Sequence, residues 1–293
     1  MPYIQSIQSD NEPVQIYYED IGKGKPVVFI HGWPLSGSMW EYQLTQLPQQ
    51  GLRCITYDRR GFGKSDYPMN GYDYNTLAGD LKELLDELEL TDVTLVGFSM
   101  GGGEIAKYFS LYEGAGVSKV VFISAVVPFM LQTDDNPYGV PQQVFDTMAK
   151  QMTADRPTFL ENFNKDFYSV SKTNIPVTDA YLNNSLHKAM TSSPIATLAC
   201  AKAFSSTDFR ADVKMIQVPT LIIHGDSDKT VPIKPTSEQT AQMISGSIYK
   251  VYEGAPHGLW FTHKEKLNQD LIDFILAPKN ASANEPSLSA TTV

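Results

Sequence analysis

Residues 95–104 read LVGFSMGGGE, and the fold turns on that stretch. An apolar run, VTLVG, breaks off at a serine set between Gly97 and Gly101, and GGGEIAKYFSLY then continues with helical character. A strand that is apolar at every position is one buried on both faces. A strand-to-helix turn tight enough to hold Gly-x-Ser-x-Gly strains the backbone of its serine and leaves no space for side chains on either side. It presents the hydroxyl at the end of the sheet, over the positive end of the next helix, where a developing anion is favoured. Ser99 is therefore the candidate nucleophile. A glycine-rich turn merely capped by serine shares the pattern but does not require the strand before it and the helix after it.

The alternation continues outward in both directions. YIQSI, VQIYYED, PVVFIHG and RCITYD precede the turn as candidate strands; KVVFISA, PTLIIHGD and IYKVYEGA follow it. Between them TLAGDLKELLDELEL sets Leu77, Leu81, Leu84, Leu85 and Leu88 on one stripe, and KEKLNQDLIDFIL does the same with Leu267, Leu271, Ile272 and Ile275. The order predicts an α/β protein with a mostly parallel eight-stranded sheet flanked by helices. One stretch departs from it. About 90 residues between KVVFISA and PTLIIHG lack convincing strands, and a loop of that length is expected to carry structure of its own. QQVFDTMAKQ and TFLENFNKDF supply helical signals there. The reading is a core over residues 1–127 and 214–278, with a helical cap, or lid, over 128–213. The small, polar tail KNASANEPSLSATTV, residues 279–293, is expected to be disordered.

A chain of 293 residues, 42% hydrophobic and 11% aromatic, is that of a globular protein able to bury a large core. Lys and Arg number 23 against 33 Asp and Glu, a net charge of −10 that repels phosphate backbones and anionic lipid, so no nucleic-acid or membrane partner is expected. No basic leader precedes an apolar stretch at the N-terminus, and no run reaches the roughly 20 apolar residues of a membrane span. The expected location is cytoplasmic, and a homo-oligomer is compatible with the sequence. Cys54 and Cys200 are too few and too far apart for a disulfide framework or a metal site, and both read as buried apolar residues.

A serine hydroxyl is a weak nucleophile and needs a base. Of the five histidines, His31 and His224 end strands and read as residues that hydrogen-bond locally, while His187 and His263 read as solvated. His257 differs. It stands in EGAPHG, between the last strand and the last helix, on a loop shaped by Pro256 and Gly258 at the end of the sheet that carries Ser99. The chain order then asks for an acid between serine and histidine, and HGDSD offers Asp226 and Asp228. Asp226 adjoins the glycine turn and reads as its cap; Asp228, one step further into the loop, is the better-placed partner of the imidazole. Two N–H donors are still required for an oxyanion. The backbone of Met100, directly after the nucleophile, supplies one. The loop after PVVFIHG supplies the other, from Trp33 rather than Pro34, since proline has no N–H.

At these residues the chain resembles the α/β-hydrolase superfamily, in the order HGWP, DRRGFGKSD, GFSMGG, lid, HGDSD, GAPHG. Within it, HGWPLSGSMWEYQ, YDRRGFGKSD, LVGFSMGGGE, GVPQQVFD and GAPHGLWFTHKEKLNQDL are most similar to the cofactor-free bacterial haloperoxidases and their arylesterase and perhydrolase relatives, over residues 1 to about 276. The resemblance implies that Ser99, Asp228 and His257 form the triad, with Trp33 and Met100 as oxyanion donors. It also implies that no cofactor is needed.

Residues and resemblance together predict a serine hydrolase of small aryl or short-acyl esters that works through an acyl-serine intermediate. Water resolves that intermediate to the acid; by the resemblance, hydrogen peroxide resolves it to a peracid that oxidises chloride or bromide. Partners are thus a small ester or carboxylic acid, and water or peroxide. Pro34 is expected to favour perhydrolysis by fixing the backbone so that the Trp33 carbonyl faces the site. Trp33, Phe98, Phe129 and Trp260 are candidate walls of a compact substrate pocket. A lactonase, a small-lactam amidase and a carbon–carbon bond hydrolase share the triad and stay open, as does a ligand receptor on a hydrolase scaffold. Dehalogenase or epoxide hydrolase chemistry on this fold needs an aspartate where Ser99 stands.

Overall fold

Eight strands make one sheet in the order β1-β2-β4-β3-β5-β6-β7-β8. The protein is described here by a computed structural model that covers residues 2–7 and 13–278, so the tail lies outside the described residues. The strands are β1 Tyr3–Ser6, β2 Val14–Gly22, β3 Lys25–Ile30, β4 Leu52–Tyr57, β5 Val93–Phe98, β6 Val117–Ile123, β7 Thr220–Gly225 and β8 Ile248–Tyr252. β2 runs antiparallel to both β1 and β4; every later pairing is parallel. Central β5 and β7 are buried at every position, as their largely apolar sequences require, whereas edge strand β8 is partly exposed.

Ten α-helical segments connect or flank the strands among the described residues: α1 Glu41–Leu44, α2 Tyr74–Glu87, α3 Met100–Tyr112, α4 Gln142–Phe167, α5 Asp179–Met190, α6 Pro194–Ser206, α7 Arg210–Val213, α8 Ser237–Met243, α9 Leu259–Thr262 and α10 Lys264–Leu276. α2 starts where the Asp73 carboxylate accepts from the Asn75 and Thr76 amides. It buries Leu77, Leu81, Leu84 and Leu85, the stripe read from the sequence. The last helix ends over a buried lysine. Lys119 of β6 donates from Nζ to the carbonyls of Phe274, Ile275 and Ala277 at 2.7–2.9 Å, satisfying the free end of α10.

Helices α4 to α7 lie between β6 and β7. The two helical signals of this stretch are one element bent at Asp155, whose backbone leaves helical geometry ahead of Pro157. Proline removes a helix donor and clashes with the preceding turn, and Asp155 recaps the second half by accepting from the Thr158 amide and hydroxyl. Cys54 and Cys200 are buried free thiols, each pushed up to about 12 by burial, so neither is reactive. No helix of the described residues is long and apolar enough to cross a membrane.

Candidate active site

Ser99 joins β5 to α3 with φ +53° and ψ −119°, a conformation that L-residues adopt only under constraint. The constraint is hydrogen-bonded: the Ser99 amide donates to Ile123 O, and its carbonyl accepts from Val126 N. The flanking glycines are needed for close approach. A Cβ on Gly97 would come within 2.7 Å of Ile105 Cδ1 and 2.8 Å of Gly101 O, and one on Gly101 within 2.7 Å of Ile30 O. Neither gap is filled by a flexible tip alone, since backbone oxygens close both.

The loop between β8 and α9 brings His257 Nε2 to 3.0 Å from Ser99 Oγ, while its Nδ1 lies 2.6 Å from Asp228 Oδ2. A carboxylate facing Nδ1 places the imidazole proton there and leaves Nε2 free to accept from the serine hydroxyl. Phe98 and Phe167 flank the ring, with centroids 4.8 and 4.5 Å away. Asp228 is buried, and its Oδ1 accepts from the Thr230 and Val231 amides at 2.9 and 2.8 Å. Burial pushes this carboxyl up, but the charges and hydrogen bonds of His257 and His224 outweigh it and hold it well below the usual carboxylate range. Asp226 is exposed and accepts from the Gly254 amide at 2.7 Å, tying the β7 and β8 loops together.

The backbone N–H groups of Trp33 and Met100 take no protein acceptor among the described residues. The Trp33 ring is fixed apart from its backbone: Nε1 donates to Thr197 O at 3.0 Å, and Phe159, Phe163 and Phe204 surround it. The Trp33–Pro34 peptide is cis. Beneath this loop lies a buried polar network that sequence reasoning missed. Arg59 donates to the His31 carbonyl at 2.8 Å and to Glu104 Oε1 from Nε at 2.7 Å. The Arg59 amide donates to His31 Nε2, and Tyr57 OH donates to Glu104. Burial and the Arg59 charge hold His31 well below the ordinary histidine range, so it is a neutral acceptor at Nε2.

A cavity of about 540 Å³ opens onto Ser99. Of the four candidate walls, Trp33 lines it, while Phe98, Phe129 and Trp260 are not among its lining residues. Phe98 and Trp260 pack on each other at 4.6 Å, fully buried, with Phe98 also against the His257 ring, and Phe129 lies under the Arg210 guanidinium at 5.1 Å. The walls come instead from the inserted helices, with Met148, Phe159 and Phe163 on α4 and Phe204 on α6. The spacing of Phe159, Phe163 and Phe167 by four residues was a legible sign that one face of α4 turns inward. His224, read as a strand-end residue that hydrogen-bonds locally, is one: it stands at the end of β7 with its Nε2 3.2 Å from Asp228 Oδ2, four residues on.

Residues 25–264 match the family described as the alpha/beta hydrolase fold, and the chain belongs to that family. It is 41% identical over 271 residues to a non-heme chloroperoxidase from Kitasatospora aureofaciens, covering 92% of this chain and 98% of that protein. It is 36% identical over 265 residues to a bifunctional esterase/perhydrolase from Acinetobacter calcoaceticus, covering 89% and 96%. The crystal structure of a bromoperoxidase from Bacillus anthracis superposes with a TM-score of 0.89 at 46% identity, covering 93% of this chain and 99% of the other.

Proposed function

We propose that Ser99, His257 and Asp228 form the catalytic triad of a carboxylesterase that also performs perhydrolysis, with the Trp33 and Met100 amides as its oxyanion hole. The observation that carries this reading is the unbroken contact from Ser99 Oγ through His257 to Asp228, at 3.0 and 2.6 Å. Ser99 Oγ attacks the ester carbonyl as His257 Nε2 takes its proton. The carbonyl oxygen becomes an oxyanion held by the two amides. The tetrahedral intermediate expels the alcohol, which leaves with the proton from His257, and an acyl-serine remains. Water, deprotonated by His257, then releases the acid. Hydrogen peroxide in the same place releases a peracid. Starting from a carboxylic acid, the net reaction joins acid and peroxide to give peracid and water. The peracid leaves and oxidises halide in solution to hypohalous acid, returning the carboxylic acid.

The similarity to proteins named as haloperoxidase and as esterase/perhydrolase supports the second nucleophile. The cavity, about 540 Å³ and walled largely by apolar side chains, has room for an aryl ester beside Ser99. The net charge of −10 favours a small-molecule partner over nucleic acid. The deciding experiment measures p-nitrophenyl acetate hydrolysis beside peracetic acid formation from acetate and peroxide, with fluorophosphonate labelling of Ser99. Both activities, lost together in Ser99→Ala, are the expected result. Labelling without either activity would move the reading to a lactonase, lactam amidase or carbon–carbon bond hydrolase; no labelling would point to a receptor.

A further inference from the structure

A second histidine stands behind Asp228. His224, on β7 and fully buried, has Nε2 3.2 Å from Asp228 Oδ2 and 2.9 Å from the Val231 carbonyl, and Nδ1 2.6 Å from Ser237 Oγ. Both groups facing Nε2 are acceptors, a carboxylate and a carbonyl, so a lone pair there would meet two negative ends. A proton on Nε2 satisfies them. That makes Nδ1 of the neutral ring an acceptor and Ser237 the donor of its hydroxyl proton. Ser237, at the first position of α8, thereby sets the tautomer of a ring on β7.

We propose that His224 is a positioning residue for acyl transfer: it fixes Asp228 Oδ2 for His257, and Ser237 fixes the tautomer that lets it do so. The proposal rests on the triad reading of the preceding section. Asp228 receives two amide donors on Oδ1 and two histidines on Oδ2. Without His224, Oδ2 keeps a single partner in a dry site, and its charge concentrates on the imidazole of His257. The base then becomes stronger, and a carboxylate held by fewer contacts aims it less well. The ionisable groups facing Asp228 are His257, from the β8–α9 loop, and His224. Lys229 and Asp166 line the adjoining cavity, and Ser99 and Ser237 contact the two rings at their far nitrogens.

The test combines the pH dependence of kcat/KM for His224→Phe, His224→Gln and Ser237→Ala with ¹⁵N histidine NMR of the unaltered protein. His224→Phe is expected to lower kcat by about 10- to 100-fold with KM little changed, since misplacing a base has costs of this size. It should also move the acid limb of kcat/KM up by about one pH unit as the base strengthens. His224→Gln, whose amide can donate to the same two acceptors, should recover most of the rate and the original limb. Ser237→Ala should shift the limb in the same direction by less, and it decides the matter if the phenylalanine variant does not fold. The NMR spectrum should show His224 protonated at Nε2 only. An unmoved acid limb in a folded His224→Phe or Ser237→Ala variant, or a proton on Nδ1 with none on Nε2, would overturn the proposal. Full turnover in Ser99→Ala would instead overturn the triad, leaving the NMR result for His224 intact.

Discussion

Asp228 Oδ2 lies 2.6 Å from His257 Nδ1 across 29 residues of chain, and this contact fixes which nitrogen of the imidazole faces Ser99 with a lone pair. Asp228→Asn keeps an oxygen for the Thr230 and Val231 amides but turns an NH₂ group toward His257. Two donors cannot face each other, so the ring takes the other tautomer and Nε2 arrives protonated. Turnover is expected to fall by about 10⁴-fold, the size seen for this change in other triads. The melting temperature should fall as well, since the ionised carboxylate is stabilising, and a thermal scan beside the esterase assay will show that the variant is still folded where it is assayed.

The same contact makes a pH prediction. Asp228 is held below the usual carboxylate range in the folded protein, so it contributes stability that is fully present above its unfolded value, about 3.9. That contribution is lost as pH falls through the folded value. Urea unfolding of the unaltered protein and of Asp228→Asn should therefore differ by a constant amount from pH 7 to about 4. Below that the difference should shift steadily against the unaltered protein. A difference independent of pH down to 2.5 would mean that Asp228 is not held ionised.

Pro34 follows the proposed oxyanion residue and, with Leu35, lines a small void shared with Leu160 and Phe163 of α4. Replacing it with leucine frees the Trp33 backbone from the ring constraint and returns an N–H to the loop. The ratio of peracid formation to ester hydrolysis is expected to fall severalfold in Pro34→Leu, with Ser99 labelling unchanged. An unaltered ratio would separate Pro34 from the choice of nucleophile.

Gly258, next to the base, lies against an inserted helix. A Cβ there would come within 2.3 Å of Tyr168 Cδ1 and Cε1, and the Gly258 amide donates to Phe167 O at 2.9 Å. In Gly258→Ala either the Tyr168 ring or the His257 loop must shift. A drop of about 100-fold in kcat is expected if the loop gives way. Tyr168→Ala in the same chain should then restore part of the rate by removing the obstacle.

Lys119 places an ammonium under three carbonyls at the end of α10. Lys119→Met fills the space but leaves those acceptors without their charged donor, a loss of about 2–4 kcal/mol in unfolding free energy. Denaturant titration measures it. The kcat of the folded fraction should be unchanged, because the lysine lies at the end of β6 away from Ser99.

The strands, the turn at Ser99 and the helices inserted between β6 and β7 all follow patterns that are local in sequence. β5 is apolar at all but Thr94 because both of its faces are covered, and Gly97 and Gly101 flank Ser99 because backbone oxygens leave no space for a Cβ. Chain order after the elbow separated His257 from four other histidines, and the position of Asp228 one step past the glycine turn separated it from Asp226. These distinctions need only the period of a strand, the sterics of a turn and the sequence of loops at one sheet end.

The pocket walls could not be read in that way. Phe98, Phe129 and Trp260 lie near motif residues in the chain yet do not line the cavity, while Phe159, Phe163 and Phe204 arrive from helices over 50 residues from Ser99. The Arg59 and Glu104 pair under His31, and His224 against Asp228, are likewise meetings of side chains whose direction is set by packing. The fold and the order of the candidate nucleophile, acid and base are legible along the chain, because each is written in local periodicity and turn sterics. What surrounds them is settled by packing, because neighbours in a folded core are chosen by side-chain direction across elements rather than by distance along the chain.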